Sequence, residues 1–177
     1  EEKNQILESL RREYETNPGV NRNYGAILAG QILLVTFAFV VLYLFLFHFR
    51  PEVLDSGKKT IFIIMIVVIL AFLASLARKT GTLNIYVVPF VILPIILKTF
   101  YDARVALFVH LVTILLIGFW APNAFEFVFM NFIAGVVAIF TLRNVYRRGI
   151  LFVAAVLAFS SYSVVYTAMG LLQEGSL

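Results

Sequence analysis

Long uninterrupted apolar runs constrain the fold of this chain more than any other feature. The run "IFIIMIVVILAFLASLA", residues 61–77, would be apolar on every face of a helix. A helix without a polar face must be buried all round, and about 20 such residues cross a bilayer core of roughly 30 Å. Membrane β-strands instead alternate apolar and polar residues over about ten positions. Runs of this kind therefore predict membrane-spanning helices.

Six such stretches can be marked off along the chain. We predict an all-α fold, a polytopic membrane helix bundle with six transmembrane helices that occupies residues 24–177. Composition agrees, since 62% of the residues are hydrophobic and 14% are charged, against roughly 25% charged in ordinary soluble domains. The third and fourth spans are short, about 24–26 Å each at 1.5 Å per residue, which favours a tight hairpin. The predicted spans are about 24–49, 60–77, 83–99, 105–120, 124–142 and 150–172.

The first 23 residues differ from the rest in composition. Ile6, Leu10 and Tyr14 have helical spacing, and the segment ends at "TNPG", where proline and glycine interrupt a helix. We interpret residues 1–23 as the end of an extracytoplasmic segment or upstream sensor domain. A membrane-surface helix is the alternative, but its five glutamates would be repelled by anionic lipid. With neither an initiator methionine nor a signal-peptide pattern, the sequence is expected to be part of a longer protein.

Basic residues in the short loops predict the orientation. Lysine and arginine favour the cytoplasmic side, and the loops after the first, third and fifth spans hold eight of them. Both ends of the chain are then expected on the extracytoplasmic side. Four basic residues before the first span are a mild signal to the contrary. The eight loop residues are Arg50, Lys58, Lys59, Lys98, Arg104, Arg143, Arg147 and Arg148.

The third span combines prolines with a charged end. Pro89 and Pro94 are expected to kink this helix, and a broken helix lining a site is the alternative. Lys98, Asp102 and Arg104 follow at the predicted cytoplasmic turn, where the lysine can extend to the interface and the aspartate can pair with a basic neighbour. Anchoring is the simpler role for these residues. Transmission of a signal through a two-state hairpin is the second hypothesis.

Five polar residues lie inside the predicted spans and are candidates for an intramembrane polar pocket: His110, Glu126, Asn131, Ser160 and Ser163. The glutamate is about one turn inside the fifth span, so exposure at the interface also explains it. The histidine and the asparagine are deeper, on adjacent antiparallel helices, where hydrogen bonds between helices are common. The serines are near the midplane, and such serines usually bond carbonyls of their own helix.

The sequence contains no recognisable catalytic constellation. It has no cysteine and two histidines, and no H-E-x-x-H, phosphate-binding loop or G-x-S-x-G motif. We therefore assign no catalytic, cofactor-binding or metal-binding residue to this chain. The net charge of +4 fits basic loops at lipid headgroups. Without a basic patch interleaved with aromatics it does not indicate nucleic acid, so the predicted partner is the lipid bilayer.

Three segments carry a resemblance to a known family: "FRPEVL" at residues 49–54, the proline-rich block ending in "FYDAR" at residues 89–104, and "RNVYRRG" at residues 143–149. In their order along the chain they resemble the membrane region of bacterial seven-transmembrane receptors with an intracellular HD hydrolase domain. Members of known activity degrade cyclic di-AMP. The resemblance covers the chain from about Glu8 onward.

The resemblance implies a location and further domains. It implies a multi-pass protein of the bacterial cytoplasmic (inner) membrane, with an extracytoplasmic domain before the helices and a cytosolic HD domain after a seventh helix. That helix, the hydrolase domain and its divalent metal pair are expected outside this chain. The fragment would then couple the outer domain to the phosphodiesterase without being an enzyme itself. A homo-oligomer is left open.

Two other classes of membrane protein fit the composition. One is the six-helix substrate-binding component of a vitamin-type transporter, and the other is a membrane scaffold protein. Transporter subunits of that class generally keep both termini inside, which the loop charges oppose.

The predicted topology can be tested by labelling, since the sequence contains no cysteine. Single cysteines at Lys58, Asn123 and Asn144 are treated in intact cells with a membrane-impermeant thiol reagent. We expect Asn123→Cys to react and the other two to be protected until the cells are permeabilised. The opposite pattern, with Lys58→Cys or Asn144→Cys labelled and Asn123→Cys protected, would reverse the orientation.

Overall fold

The computed structural model describes residue 8, residues 24–80, residues 85–142 and residues 148–174. Every regular element within these ranges is helical, as predicted. A short 3₁₀ turn spans Ile85–Val87. The α-helices are α1 (Tyr24–Phe49), α2 (Pro51–Leu54), α3 (Gly57–Thr80), α4 (Ile92–Phe100), α5 (Ala103–Gly118), α6 (Ala124–Thr141) and α7 (Arg148–Glu174).

Four described helices, α1, α3, α6 and α7, are long and apolar enough to cross a membrane. Two shorter apolar segments, residues 85–100 and residues 103–118, lie between α3 and α6. The protein is thus a multi-pass, all-helical membrane protein, and the two short segments correspond to the third and fourth predicted spans. The interpretation of residues 1–23 falls, apart from Glu8, outside the described residues.

The third predicted span is interrupted, so the expectation of one kinked helix is wrong. The 3₁₀ turn ends at Val87, and α4 begins only at Ile92. Pro89 lies in the interruption, where its missing N–H breaks no α-helical hydrogen bond. Turn bonds use the local carbonyls, for example from Ile92 N to Pro89 O at 3.0 Å. The broken-helix alternative therefore describes this segment.

Pro94 does not kink α4, because it lies in the first turn of that helix. The first N–H groups of a helix have no partner inside it, so a proline there loses nothing. The carbonyl of Phe90, which a residue at position 94 would otherwise bond, accepts from Leu93 N at 3.1 Å. The Pro94 ring is buried in the bundle.

Side-chain caps begin the two most buried helices. Asp102 is the N-cap of α5 and accepts a hydrogen bond from Val105 N at 3.2 Å. Asn123 is the N-cap of α6: its Oδ1 accepts from Glu126 N at 3.4 Å, and its Nδ2 donates to the Glu126 carboxylate at 3.0 Å, a side-chain variant of the capping box. An acceptor at this position satisfies an amide that the helix leaves unpaired. The caps place the start of α5 two residues before the predicted span.

The chain divides into two units, residues 1–37 and residues 38–177. In the first unit, the described part of α1 is apolar and largely exposed, as a lipid-facing helix would be. In the second unit α5 is the central helix, and it packs against α3, α4 and α6. In turn α6 contacts α4 and α7. Three fully buried residues show the core position of α5: Ala106, Val109 and Ile114.

Close approach of α5 and α6 depends on Gly118. A β-carbon at this position would lie 2.6 Å from Cγ2 of Val128 on α6. Small residues at helix interfaces let membrane helices pack closely, where lipid provides no hydrophobic force between them. The short α5 is therefore held in the bundle by contact on several sides.

Candidate functional site

Asn131 is the centre of a buried hydrogen-bond network in the second unit. Its side-chain amide donates to Phe127 O of its own helix at 2.8 Å. Its Oδ1 accepts from the Tyr162 hydroxyl of α7 at 2.6 Å. Its backbone carbonyl is 2.9 Å from Nε2 of His110 on α5. One residue of α6 thus links three helices.

His110 is fully buried, and its position depends on a glycine. Because a carbonyl only accepts, Nε2 of His110 carries the hydrogen of this bond. The other ring nitrogen, Nδ1, has no hydrogen-bond partner among the residues that the structure describes. Gly135 follows Asn131 by one turn of α6, and a β-carbon there would lie 2.3 Å from His110 Nε2. The absence of that β-carbon lets the imidazole reach the carbonyl.

Tyr162 completes the network and was not among the residues singled out from the sequence. It lies within the "SSYS" run, of which only serines were named as candidates for a polar pocket. A tyrosine in the middle of an apolar span was the available signal, because a buried hydroxyl generally needs a partner. Of the five polar candidates, the structure brings together His110 and Asn131.

The other three candidates lie outside this network. Glu126 is in the first turn of α6 and accepts from Asn123 Nδ2 at 3.0 Å. Ser160 donates to Val156 O at 2.9 Å, and Ser163 donates to Phe159 O at 3.1 Å, both within α7. These serines are exposed and bond their own helix, so the five residues do not form one polar pocket.

A cavity of about 640 Å³ adjoins the network. Tyr162 forms part of its wall, together with residues from the interrupted segment, α6 and α7. The lining is mostly apolar, with hydroxyls from tyrosines and one serine. The lining residues are Tyr86, Val87, Val88, Pro89, Val91, Ile92, Ile95, Met130, Ala155, Ala158, Phe159, Tyr162, Ser163 and Tyr166.

An ion pair lies at the turn between α4 and α5, the two helices of the predicted hairpin. Arg50, which precedes α2, donates from Nη2 to Oδ2 of Asp102. Both side chains are about one-third exposed. The aspartate therefore caps α5 with one oxygen and binds the arginine with the other. Arg50 was noted in the sequence only as a loop charge, although the position before a proline in "FRPEVL" marks a helix start.

The carboxyl of Asp102 has a lowered pKa. Partial burial opposes ionisation, but the hydrogen bond from Arg50 and the amides of Val105 and Arg104 outweigh it and hold the pKa below 3.8. The stabilisation that these contacts give is present above about pH 4. It is lost as the pH falls through the lowered pKa. The carboxylate is thus charged at neutral pH.

Further contacts join the loops around this pair. The Tyr101 hydroxyl donates to Lys59 O at 2.8 Å, and the Thr60 hydroxyl donates to Val53 O at 2.8 Å. Lys98 is in the last turn of α4, where a positive charge is favoured by the helix dipole. The remaining charged candidate, Arg104, is exposed on the first turn of α5.

Metal ligands are not clustered in the described part of the chain. No group of three or more histidine, cysteine, aspartate or glutamate side chains there could hold a metal ion. The described residues therefore do not fit the metal pair that the resemblance implies for a hydrolase domain.

Comparison with known families identifies the membrane region as follows. The model of the family described as "7TM receptor with intracellular HD hydrolase" matches residues 26–177. The chain belongs to this family. No curated protein and no solved structure matches this chain. The match includes α5–α7, the network of Asn131 and the ion pair, so both arrangements belong to the membrane region of a 7TM receptor of the HD hydrolase family.

The contact between Gly135 and His110 gives a stability prediction. Gly135→Ala would displace the imidazole and break its bond to Asn131 O, so we expect the purified protein to unfold several degrees below wild type. Gly170→Ala is the control, because a β-carbon there would have no atom of the described residues within 4 Å. Thermal unfolding in detergent micelles measures both.

A double variant separates this steric cause from a general effect of alanine. In the His110→Ala background the cost of Gly135→Ala should fall, with a coupling of about 0.5–3 kcal/mol between the two positions. An equal cost in both backgrounds, or wild-type stability of Gly135→Ala, would contradict the predicted contact.

Proposed function

We propose that this chain is the transmembrane signalling region of a receptor-type HD phosphohydrolase of the bacterial cytoplasmic membrane, and that the hydrolase degrades cyclic di-AMP. The family match over residues 26–177 carries the receptor part of this proposal. The resemblance of "FRPEVL", "FYDAR" and "RNVYRRG" to receptors of this type supports the substrate and the location. An extracytoplasmic domain and a cytosolic HD domain are the proposed partners, and the divalent metal pair would belong to the latter.

The Arg50–Asp102 ion pair is the proposed coupling contact. It joins the segment after α1 to the start of α5, at the side that the loop charges predict to be cytoplasmic. A hydrolase domain on that side would be near it. Because both side chains are about one-third exposed, the pair can separate without leaving a buried charge.

The interrupted third segment gives the hairpin a second feature that suits a switch. Between Val87 and Ile92 the chain lacks the continuous α-helical hydrogen bonds that would resist bending. A receptor needs an element with two arrangements that both sides of the membrane can bias. The segment reaches from the cavity at residues 86–95 to the ion pair beyond α4.

The test uses the full-length protein with substitutions that change charge and little else. Asp102→Asn keeps an acceptor for the cap of α5 but removes the negative charge. Arg50→Gln removes the partner charge. We expect either variant, at normal insertion, to change basal or stimulated hydrolysis of cyclic di-AMP by about twofold to thirtyfold, which corresponds to coupling energies of 0.5–2 kcal/mol.

The matched control is Glu52→Gln, an exposed acidic residue of α2. Wild-type hydrolysis in all three variants would show that the pair only anchors the hairpin. If the wild-type protein does not hydrolyse cyclic di-AMP, the proposed substrate is wrong. The effect of the ion pair on hydrolysis is then measured with the substrate that the protein does cleave.

A further inference from the structure

Charged and aromatic side chains meet where α3 begins and α4 ends. The Tyr101 hydroxyl donates to the carbonyl of Lys59 at 2.8 Å, which joins the two helix ends. Phe62, on the next turn of α3, packs on both Phe100 and Tyr101, with ring centres 5.3 and 6.4 Å apart. Lys98 is in the last turn of α4, two residues before Phe100. Two helix ends that carry lysines thus meet at one cluster of three rings.

Positive charge exceeds negative charge in the loops around these rings. Residues 50–59 and 98–104 include five basic and three acidic side chains. Arg50 and Asp102 neutralise each other in their ion pair. The other six form no salt bridge within the described part of the chain, and an anionic partner would therefore be attracted to them. They are Lys58, Lys59, Lys98 and Arg104, with Glu52 and Asp55.

The exposed face of α3 indicates which kind of anion can reach these lysines. Ile61, Met65 and Val68 lie on one face of α3, at spacings of three and four residues, and all three are exposed. In a membrane-spanning helix such a face contacts hydrocarbon. The face begins at Lys58, one turn before Ile61. A soluble anion would leave it unused, whereas a phospholipid carries its charge and its hydrocarbon in the required order.

We propose that this α3–α4 surface, residues 58–62 and 98–101, is a binding site for an anionic phospholipid. Its three lysines hold the phosphate, because long lysine side chains extend from a helix end to the interface. An acyl chain lies against Phe100 and Ile61, which are both exposed. The site selects for headgroup charge, which general contact with the bilayer does not. It rests on the contacts and charges of these residues and does not depend on the signalling role proposed above.

The test is photolabelling of the full-length protein in phosphatidylcholine vesicles. Two probes with the same diazirine near the headgroup, a phosphatidylglycerol and a phosphatidylcholine, are compared at equal amounts, and labelled residues are mapped by mass spectrometry. We expect the phosphatidylglycerol probe to label residues 58–62 and 98–101 at least about fivefold more. Fivefold corresponds to about 1 kcal/mol, the usual contribution of one basic residue near an anionic membrane surface. Residues 119–123, which include no charged side chain, should be labelled equally by both probes.

Removal of the charge should remove the preference. Lys58→Gln combined with Lys59→Gln takes away two exposed lysines, and the ratio between the two probes at the α3–α4 surface should fall toward one. Lys98→Gln, from α4, should lower the ratio in part. Lys79→Gln is the matched control, because it removes an exposed lysine from the other end of α3. Salt should also lower the ratio, since the Debye length falls from about 10 Å at 0.1 M to about 3 Å at 1 M.

Three results would overturn the proposal. Equal labelling of the α3–α4 surface by both probes would show contact with lipid of any charge. A preference that persists when Lys58 and Lys59 are both replaced would place its cause elsewhere. Protection of this surface from both probes in the wild-type protein, with residues 119–123 still labelled, would show that protein covers it.

Discussion

The hydrogen bonds of Asn131 are the interaction on which the bundle most depends. Lipid is as apolar as a leucine side chain, so the hydrophobic effect does not draw helices together inside a membrane. Close packing and hydrogen bonds between helices must do so instead. Asn131 supplies its carbonyl to His110 of α5 and its side-chain oxygen to Tyr162 of α7. Gly135 provides the space for the first of these contacts.

The same constraint explains why the break before α4 is tolerated. Unpaired backbone groups are costly in hydrocarbon, so irregular segments occur where protein surrounds them or where they line a cavity. Residues 88–91 satisfy part of this need with turn hydrogen bonds, and Phe90 is buried against Phe127 with ring centres 5.1 Å apart. The break also forms one wall of the cavity. A structural irregularity and a cavity thus share one segment, next to the network that joins α5, α6 and α7.

Much of the architecture follows from the sequence because a bilayer imposes simple rules. The apolar runs located the helices, and α1 has the predicted bounds of 24 and 49. The sequence also placed His110 and Asn131 on adjacent helices, where they meet. Pairing of Asp102 with a basic neighbour was expected, and the neighbour is Arg50.

The remaining features depend on contacts between distant residues. Tyr162 became important only through the position of Asn131, 31 residues earlier. The choice between a kink and a break depended on how the carbonyls near Pro89 were satisfied, and the sequence does not specify those partners. The serines are the exception, because a hydroxyl in a helix can reach the carbonyl four residues before it, which is the local bond that the sequence analysis gives as usual. For Ser160 and Ser163 this bond prevailed over any contact with a neighbouring helix.

A double-mutant cycle between Asn131 and Tyr162 tests the network most directly. Asn131→Ala removes the side-chain acceptor but keeps the backbone carbonyl that His110 uses, and Tyr162→Phe removes only a hydroxyl. Unfolding of the wild type, both single variants and the double variant in detergent micelles gives the coupling. We expect about 0.6–1.7 kcal/mol, the mean and the maximum of such couplings measured between membrane helices. Single-variant costs that add to within about 0.3 kcal/mol would contradict it, because independent sites behave in that way.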